Sequence, residues 1–327
     1  MSEPLQPPGW TERVRAASVL VLAPHYDDEV LGCGGLIAGL ASAGTVVRIL
    51  FLTDSSGGAE DVADRDAYGR RRREEAAKAC EILGIAGCDH LGLPDGALDE
   101  CLDAAEQGIR RAVFTQRPDL LLVPSPLEIT RDHRAAFAAL HRLLAPLRES
   151  AGSEDLEPWR DLRIFLYEVN HPGHPDLLVD VSAEQERLER AMAAYASQEE
   201  RHPYWNAGLG LRRFRTLSLG SLGPGVELAE AYRRLRVDDF TTRSPAQLIR
   251  HLGGLPEIAE VREGPRISVV VRTRDRPELL AEALASLAAG TYRRAEVVLV
   301  NDGGTPPVLP EAYPLPVVRV DLAWSQG

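Results

Sequence analysis

Four ionisable residues follow directly on a short apolar segment near the start of this 327-residue chain. Residues 19–23 are all apolar, and within six positions come His25, Asp27, Asp28 and Glu29. The apolar segment predicts a buried strand, and charged groups at the edge of a core must be paired or bound to a metal ion. In open α/β sheets, ligands bind beyond the carboxyl ends of the strands. We therefore expect this turn to form an active site.

The residue types and their spacing predict a metal centre. A catalytic zinc ion commonly has three protein ligands and one open position for water. His25 and Asp28 are three positions apart in a tight turn, and His133 follows a second apolar segment, DLLLV, at 119–123. We expect these three residues to hold zinc or another divalent metal. Asp27 would then activate the metal-bound water as general base, because the metal lowers the pKa of that water towards ~7. The protonated Asp27 could pass its proton to a leaving amine, which amounts to amide hydrolysis.

Each of these residues also has a simpler interpretation. Carboxylates favour the N-termini of helices, so Asp27 or Asp28 could cap the helix that follows. Capping explains one carboxylate, but it does not explain three adjacent acids. His133 could be an exposed histidine at the start of a helix. His171 and His174 lie in a predicted loop and could line the cleft. Four other histidines are interpreted as non-catalytic: His90, His141, His202 and His251.

Composition and charge exclude several classes of protein. The net charge of −12 gives no indication of a nucleic-acid partner. The first ten residues have neither the basic start nor the apolar core of a signal peptide, and no apolar run reaches the ~20 residues that span a bilayer. The four cysteines lack the pair spacing of a metal site, and a chain of this length needs no disulfides. We expect a cytoplasmic protein; its oligomeric state is not predicted.

The pattern of apolar segments predicts an α/β fold. Strands are predicted at 19–23, 45–53, 89–93, 119–123, 163–169 and 177–181, and helices at 31–43, 70–83, 99–116, 133–147, 183–200 and 227–235. Such alternation indicates a mostly parallel sheet with helices on both faces. We place the first domain at 1–237 and a linker, with one small helix near 247–252, at 238–265. A second βαβ pattern follows at 266–327, with its strands at 267–272 and 296–300 around a helix at 277–289.

Several segments together resemble a known family. They are Ala23-Pro-His-Tyr-Asp-Asp-Glu29 with Gly34-Gly35, the Arg72-x-x-Glu75 helix, Leu93-Pro-Asp-Gly96 and Asp132-His-Arg-Ala135. Over roughly residues 15–235 the chain resembles the PIG-L (LmbE-like) zinc-dependent de-N-acetylases. The resemblance implies a Rossmann-like fold and the removal of an acyl group, usually acetyl, from a 2-amino sugar in a glycan, glycolipid or glycoconjugate. The sugar that this resemblance implies is N-acetylglucosamine.

The resemblance also implies roles for individual residues. His25, Asp28 and His133 would hold zinc, and Asp27 would be the base. Residues Arg72 and Asp95 would lie near the sugar. The alternatives for these last two are an ion pair on a helix face and a carboxylate in a turn.

Two positions depart from the family pattern. Tyr26 stands where the family usually has proline, which would alter the rim of the cleft. Thr130 stands where the family usually has a histidine that stabilises the oxyanion or protonates the leaving group. A threonine can donate a hydrogen bond but cannot be a cation, so either Glu128, His171 or His174 takes over, or turnover is reduced. We hypothesise that His171 or His174 enters the site.

The C-terminal segment resembles a different family. ISVVVRTRDRP at 267–277 and VLVNDG at 298–303 resemble the start of a family 2 glycosyltransferase with the GT-A fold. That resemblance implies that Asp302 contacts the nucleotide of a sugar donor. The segment contains no Asp-x-Asp motif or catalytic base of that family, so we expect it to be inactive. A small βαβ appendage is the alternative.

Three functions are therefore compatible with the sequence. The first is a metal-dependent amidohydrolase acting on an N-acylated amino sugar. The second is a glycosyltransferase whose first domain is a degenerate glycan-binding module. The third is an amidase acting on a non-sugar amide, which an apolar cleft without polar groups for hydroxyls would favour.

Overall fold

The Val-, Leu- and Ile-rich segments form a central sheet, as their apolar character predicts. The computed structural model describes residues 9–11, 14–57, 64–148, 159, 161–218, 225–253, 261–309 and 313–324. The strands of the central sheet are β1 (Gly9–Thr11), β2 (Ser18–Ala23), β3 (Val46–Thr53), β4 (Gly87–Leu93), β5 (Leu120–Pro124), β6 (Arg163–Tyr167), β7 (Leu177–Asp180) and β8 (Ala229–Arg236). The helices are α1 (Asp28–Ser42), α2 (Arg65–Leu83), α3 (Leu102–Gln116), α4 (Arg131–Leu144), α5 (Gln185–Ala194), α6 (Ala196–Glu199), α7 (Tyr204–Thr216), α8 (Val237–Thr242) and α9 (Pro245–Leu252).

The topology brings the ends of β2 and β5 together. The strand order is β1-β7-β8-β6-β5-β2-β3-β4, and β2 pairs in parallel with both β3 and β5. Only β8, among the described strands, runs antiparallel to its neighbours β6 and β7. The chain order reverses beside β2, and such a switch point leaves a crevice beyond the carboxyl ends of the strands. The predicted mostly parallel α/β sheet is confirmed.

Side chains of each central strand point alternately to two cores. In β2, Val19 and Val21 face the side covered by α1, α2 and α5, whereas Leu20 and Leu22 face the side covered by α3 and α4. This two-residue period is the ordinary consequence of a pleated strand. Because both faces are covered by helices, the strand is apolar at every position from Val19 to Ala23.

A buried acidic residue binds α1 just after its kink. The helix is kinked at Cys33, where φ is −146° and ψ is 15°. Near the kink, the N–H groups of Gly35 and Leu36 donate to the Glu230 carboxylate over 2.8 and 2.9 Å. Arg212 pairs with the same carboxylate at 2.7 Å. This acceptor satisfies main-chain donors that would otherwise be buried without partners, and it was not predicted from the sequence.

The structure corrects the prediction at four places. Residues 227–235 were predicted as a helix, but most of them form strand β8, because pairing with β6 and β7 overrides the helical preference of Ala, Glu and Leu. Helix α7 was not predicted. The predicted linker contains the expected small helix, α9, but α8 was not predicted, and the two helices pack Leu248 and Phe240 into the core beside α4. Cys80 and Cys88 form a disulfide pair, although a chain of this length was expected to need none.

The chain divides into two compact units, Met1–Leu255 and Pro256–Gly327. The second contains β9 (Ile267–Thr273), α10 (Pro277–Ala289), β10 (Ala295–Asp302) and β11 (Val317–Leu322), with all three strands parallel in the order β11-β10-β9. Leu280 and Leu284 of α10 pack on Val297 and Leu299 of β10. The predicted βαβ pattern is present, whereas its relation to glycosyltransferases stays a prediction. Asp302 is buried and paired with Arg272 at 2.6 Å.

Among the helices that the structure describes, none is both long and apolar enough to cross a lipid bilayer.

Two glycines of α1 provide a matched test of close packing. A Cβ built on Gly35 would lie 2.5 Å from Val181 Cβ, whereas one on Gly39 would lie 3.8 Å from the nearest atom, Glu184 Oε1. We expect Gly35→Ala to lower the free energy of unfolding by about 1–3 kcal/mol because the helix must move away from the end of β7. Gly39→Ala should leave it unchanged or raise it by up to about 1 kcal/mol through helix propensity. Urea denaturation of both variants measures the difference, and equal stabilities would contradict this packing.

Candidate active site

Two loops at the carboxyl ends of neighbouring strands carry the predicted site. The turn after β2 holds His25 and Asp27, and α1 begins at Asp28. The loop after β5 leads into α4, whose third residue is His133. Parallel pairing of β2 with β5 places these loops side by side. The sheet therefore brings together residues that lie about a hundred positions apart in the sequence.

The three predicted metal ligands lie together. His25 Nδ1 is 3.2 Å from Asp28 Oδ2, and His133 Nε2 is 3.1 Å from Asp28 Oδ1. The potential ligand atoms of the three residues all lie within 4.8 Å of one another. Asp28 and His133 are buried, and His25 is partly buried. His133 is thus not an exposed histidine at a helix start.

A second group of carboxylates lies on the other side of the His25 ring. His25 Nε2 is 3.1 Å from Asp132 Oδ2 and 3.2 Å from Asp95 Oδ1. These side chains could also hold an ion, but Asp132 already accepts the N–H groups of Gly96 and Leu98 over 2.7 and 3.0 Å. With its oxygens so engaged, Asp132 can orient the imidazole by accepting its Nε2 proton. Sequence reasoning missed Asp132, although its place next to His133 was a signal.

The charges of the site favour a cation. Burial alone would raise the pKa of Asp28, but the imidazoles of His133 and His25 outweigh it and hold that pKa well below its usual range. Burial alone would lower the pKa of His133, but the Asp28 carboxylate raises it to about 9. For His25 the surrounding carboxylates, Asp132 first, likewise outweigh burial and raise the pKa well above its ordinary value. A field that retains protons on two imidazoles also attracts a metal ion.

The donor set fits a divalent metal. Two imidazole nitrogens and one carboxylate oxygen match the three-ligand sets of catalytic zinc sites, which leave a position open for water. Each imidazole has a second carboxylate behind it, as metal-bound histidines usually do. His25, Asp28 and His133 could therefore hold such an ion.

Asp27 lies beside this set without belonging to it. Its φ of 121° is a strained backbone conformation for a non-glycine residue, and its side chain does not cap α1. The carboxylate instead meets Arg72, with Oδ2 at 3.2 Å from Nη2. Burial raises the pKa of Asp27 to about 6, against the opposing effect of Arg72. At neutral pH the group can therefore accept a proton and can also return one.

The third acid of the turn faces the core. Glu29 is fully buried and accepts a short hydrogen bond from the Tyr195 hydroxyl. Burial raises the pKa of Glu29 to about 8, so the uncharged form is favoured at neutral pH. The adjacent acids thus have distinct environments.

Two further predicted residues lie inside the protein. Arg72 is 3% exposed, and besides Asp27 it contacts the main-chain oxygen of Tyr26. Its Nε is buried and has no hydrogen-bond partner among the described residues. The ring of Tyr26 is buried against Phe51, and its hydroxyl is 3.1 Å from His90 Nδ1. The turn directs this side chain into the core, and an effect of Tyr26 on the rim of the cleft stays a prediction.

The family usually has a histidine where this chain has Thr130, and the residues that could replace that histidine have different environments. Thr130 precedes α4, and its hydroxyl oxygen is buried with no hydrogen-bond partner in the described part of the chain. Glu128 is buried next to His133, with 3.4 Å between Oε2 and Nδ1. His171 and His174 are exposed. Among the contacts of the described residues, none joins either imidazole to the three potential ligands, so their entry into the site stays a prediction.

Comparisons with known proteins place this site in a family. The model of the PIG-L family (GlcNAc-PI de-N-acetylase) matches residues 20–144, the span that contains both site loops. The diacetylchitobiose deacetylase of Thermococcus kodakarensis is 30% identical over 189 residues, which cover 55% of this chain and 69% of that protein.

Two solved structures are also similar. The conserved protein TT1542 from Thermus thermophilus is 34% identical, with a TM-score of 0.53 over 66% of this chain and 93% of that one. The N,N'-diacetylchitobiose deacetylase from Pyrococcus horikoshii shares the fold at 23% identity, with a TM-score of 0.58 over 71% of this chain and 89% of that one. The matching segment and the relative from Thermococcus kodakarensis together show that this chain belongs to the PIG-L family.

Proposed function

We propose that this protein is a metal-dependent hydrolase that removes the acetyl group from an N-acetylated amino sugar. The observation that carries the proposal is the convergence of His25, Asp28 and His133 within 4.8 Å, with Asp27 beside them. The Thermococcus kodakarensis relative, a diacetylchitobiose deacetylase by name, supports this substrate class. The sugar could be free or part of a glycan, glycolipid or glycoconjugate.

The three ligands would hold zinc or another divalent ion. A divalent ion bound there supplies a Lewis acid for the amide carbonyl and lowers the pKa of a water molecule. His25 and Asp28 would hold the ion from a single turn, and His133 would hold it from α4.

Asp27 is the proposed acid–base residue. Its carboxylate removes the proton from the attacking water, the new C–O bond forms, and the C–N bond of the amide breaks. The proton held by Asp27 then moves to the nitrogen of the departing amine. Arg72 pairs with Oδ2 of Asp27 at 3.2 Å, so it keeps the carboxylate in place and stabilises its charged form after the proton has left.

Thr130 and Asp95 are proposed to contact the substrate. The buried Thr130 hydroxyl can donate one hydrogen bond to an oxygen atom of the substrate. Asp95 lies against His25 and is partly exposed, so it can accept from a sugar hydroxyl. Without a histidine at position 130, the chain depends on Asp27 for the proton that the amine needs.

The alternative functions rest on weaker grounds. No comparison supports a glycosyltransferase as the main activity, and Asp302 in the second unit is paired with Arg272. An amidase acting on a non-sugar amide would use the same centre. Screening N,N'-diacetylchitobiose, N-acetylglucosamine and simple N-acetyl amides for acetate release distinguishes these substrates.

Replacing Asp27 should slow turnover strongly while the metal stays bound. We expect Asp27→Asn to lower kcat about 10²–10⁴-fold, the usual contribution of general acid–base catalysis, with unchanged zinc content by elemental analysis. Asp119→Asn is the matched control, since Asp119 pairs with Arg163 at the amino end of β5 and should leave kcat unaffected. Full activity of Asp27→Asn would contradict the assigned role.

Removing the third ligand should remove the metal. We expect His133→Ala to lose stoichiometric zinc after dialysis, because two remaining ligands on one turn bind a divalent ion weakly. His141→Ala, on the same helix but hydrogen-bonded to the Arg243 carbonyl, should retain it. Stoichiometric zinc in His133→Ala would show that another residue completes the centre.

A further inference from the structure

Glu128 occupies the space behind one of the metal-ligand histidines. It lies in the loop between β5 and α4 and is 1% exposed. Its Oε2 is 3.4 Å from His133 Nδ1, and the other ring nitrogen, Nε2, is 3.1 Å from Asp28 Oδ1. The imidazole of His133 is therefore held between two carboxylates, one at the centre and one behind it.

This arrangement determines which nitrogen of the ring can bind a cation. A neutral imidazole carries one proton, and the nitrogen that donates it cannot be a ligand. When Nδ1 of His133 donates to Glu128, the lone pair of Nε2 points towards Asp28 and the centre. Carboxylates behind metal-bound histidines act in this way in general.

The same carboxylate also binds a second segment of the chain. Glu128 Oε1 accepts the N–H of Val169 over 2.7 Å and that of His171 over 3.4 Å. Its Oε2 accepts the N–H of Asn170 over 3.0 Å. These three consecutive residues follow β6. Four donors, three of them main-chain groups, thus converge on one side chain that has only acceptors.

We infer that Glu128 is a positioning residue that directs Nε2 of His133 to the metal centre and ties this ligand to segment 169–171. The inference rests on the proposed metal site. It also removes Glu128 from the candidates that could replace the histidine missing at position 130, because both of its oxygens are engaged. Each oxygen of Glu128 faces two of these donors, so glutamine at this position would present its NH2 group to two of the four and cannot satisfy all of them.

Zinc affinity of the full chain tests the inference, with a matched control. Glu128→Gln should weaken zinc binding 10–100-fold in competition with a chelating indicator, the usual effect of losing such a partner. Glu168→Gln removes another buried carboxylate beside the same segment, but one that binds Arg215 and the Gly173 N–H and no potential ligand. This control should lose thermal stability and keep the zinc affinity of the unaltered chain.

A second measurement needs no variant. In the zinc-loaded unaltered chain, ¹⁵N NMR should show His133 protonated at Nδ1 and metal-bound at Nε2. The opposite arrangement overturns the inference, as does a folded Glu128→Gln variant with unchanged zinc affinity, and both results leave the proposed function standing. An unaltered chain that binds no zinc overturns the proposed function, and the inference with it.

Discussion

The buried carboxylate of Asp28 between two imidazoles is the interaction on which the site depends. Each of its oxygens faces one ring, that of His25 or that of His133. A buried charge that loses its partner destabilises a protein by about 3–5 kcal/mol, so the two loops that carry these rings must stay together. The carboxyl ends of β2 and β5 are thus held together by these side-chain ion pairs as well as by the main-chain hydrogen bonds between the strands.

The fold around this carboxylate serves to keep the start of α1 in place. Glycines let α1 approach the sheet closely, as the 2.5 Å between a built Cβ of Gly35 and Val181 Cβ shows. The kink at Cys33 lies beside N–H groups that Glu230 binds. Arg212 balances the charge of Glu230 in turn. Asp28 is the first residue of the same helix, so these contacts hold the helix that carries it against the sheet.

Several buried acids can lie close together near the centre because each has a partner of its own. Asp27 faces Arg72, Glu29 faces Tyr195, and Asp132 faces His25 and two main-chain N–H groups. Networks of this kind are stable only when every member is satisfied. The partners also separate the acids chemically: the pKa of Asp28 lies below its usual range, and that of Asp27 is about 6. One carboxylate is therefore suited to hold a cation and its neighbour to exchange a proton.

The sequence by itself determined the fold class and the central residues. Apolar runs and their spacing predicted the parallel sheet, and the turn at 25–28 together with His133 predicted three potential ligands, whose side chains the structure brings together. These features were readable because strand ends and tight turns are local properties, and because a cluster of acids after a buried strand has few structural explanations.

Only the tertiary structure decided which residues surround these central residues and which partners they bind. The strand at 229–236 has the composition of a helix, and its pairing with β6 and β7 determines its conformation. The sequence does not show what Asp132, Glu128 and Glu230 bind, yet all three are buried against partners that include residues 41 to 195 positions away. Tyr26 likewise points inwards. Contacts over such separations depend on how the strands are ordered in the sheet, and no local pattern of residues encodes that order.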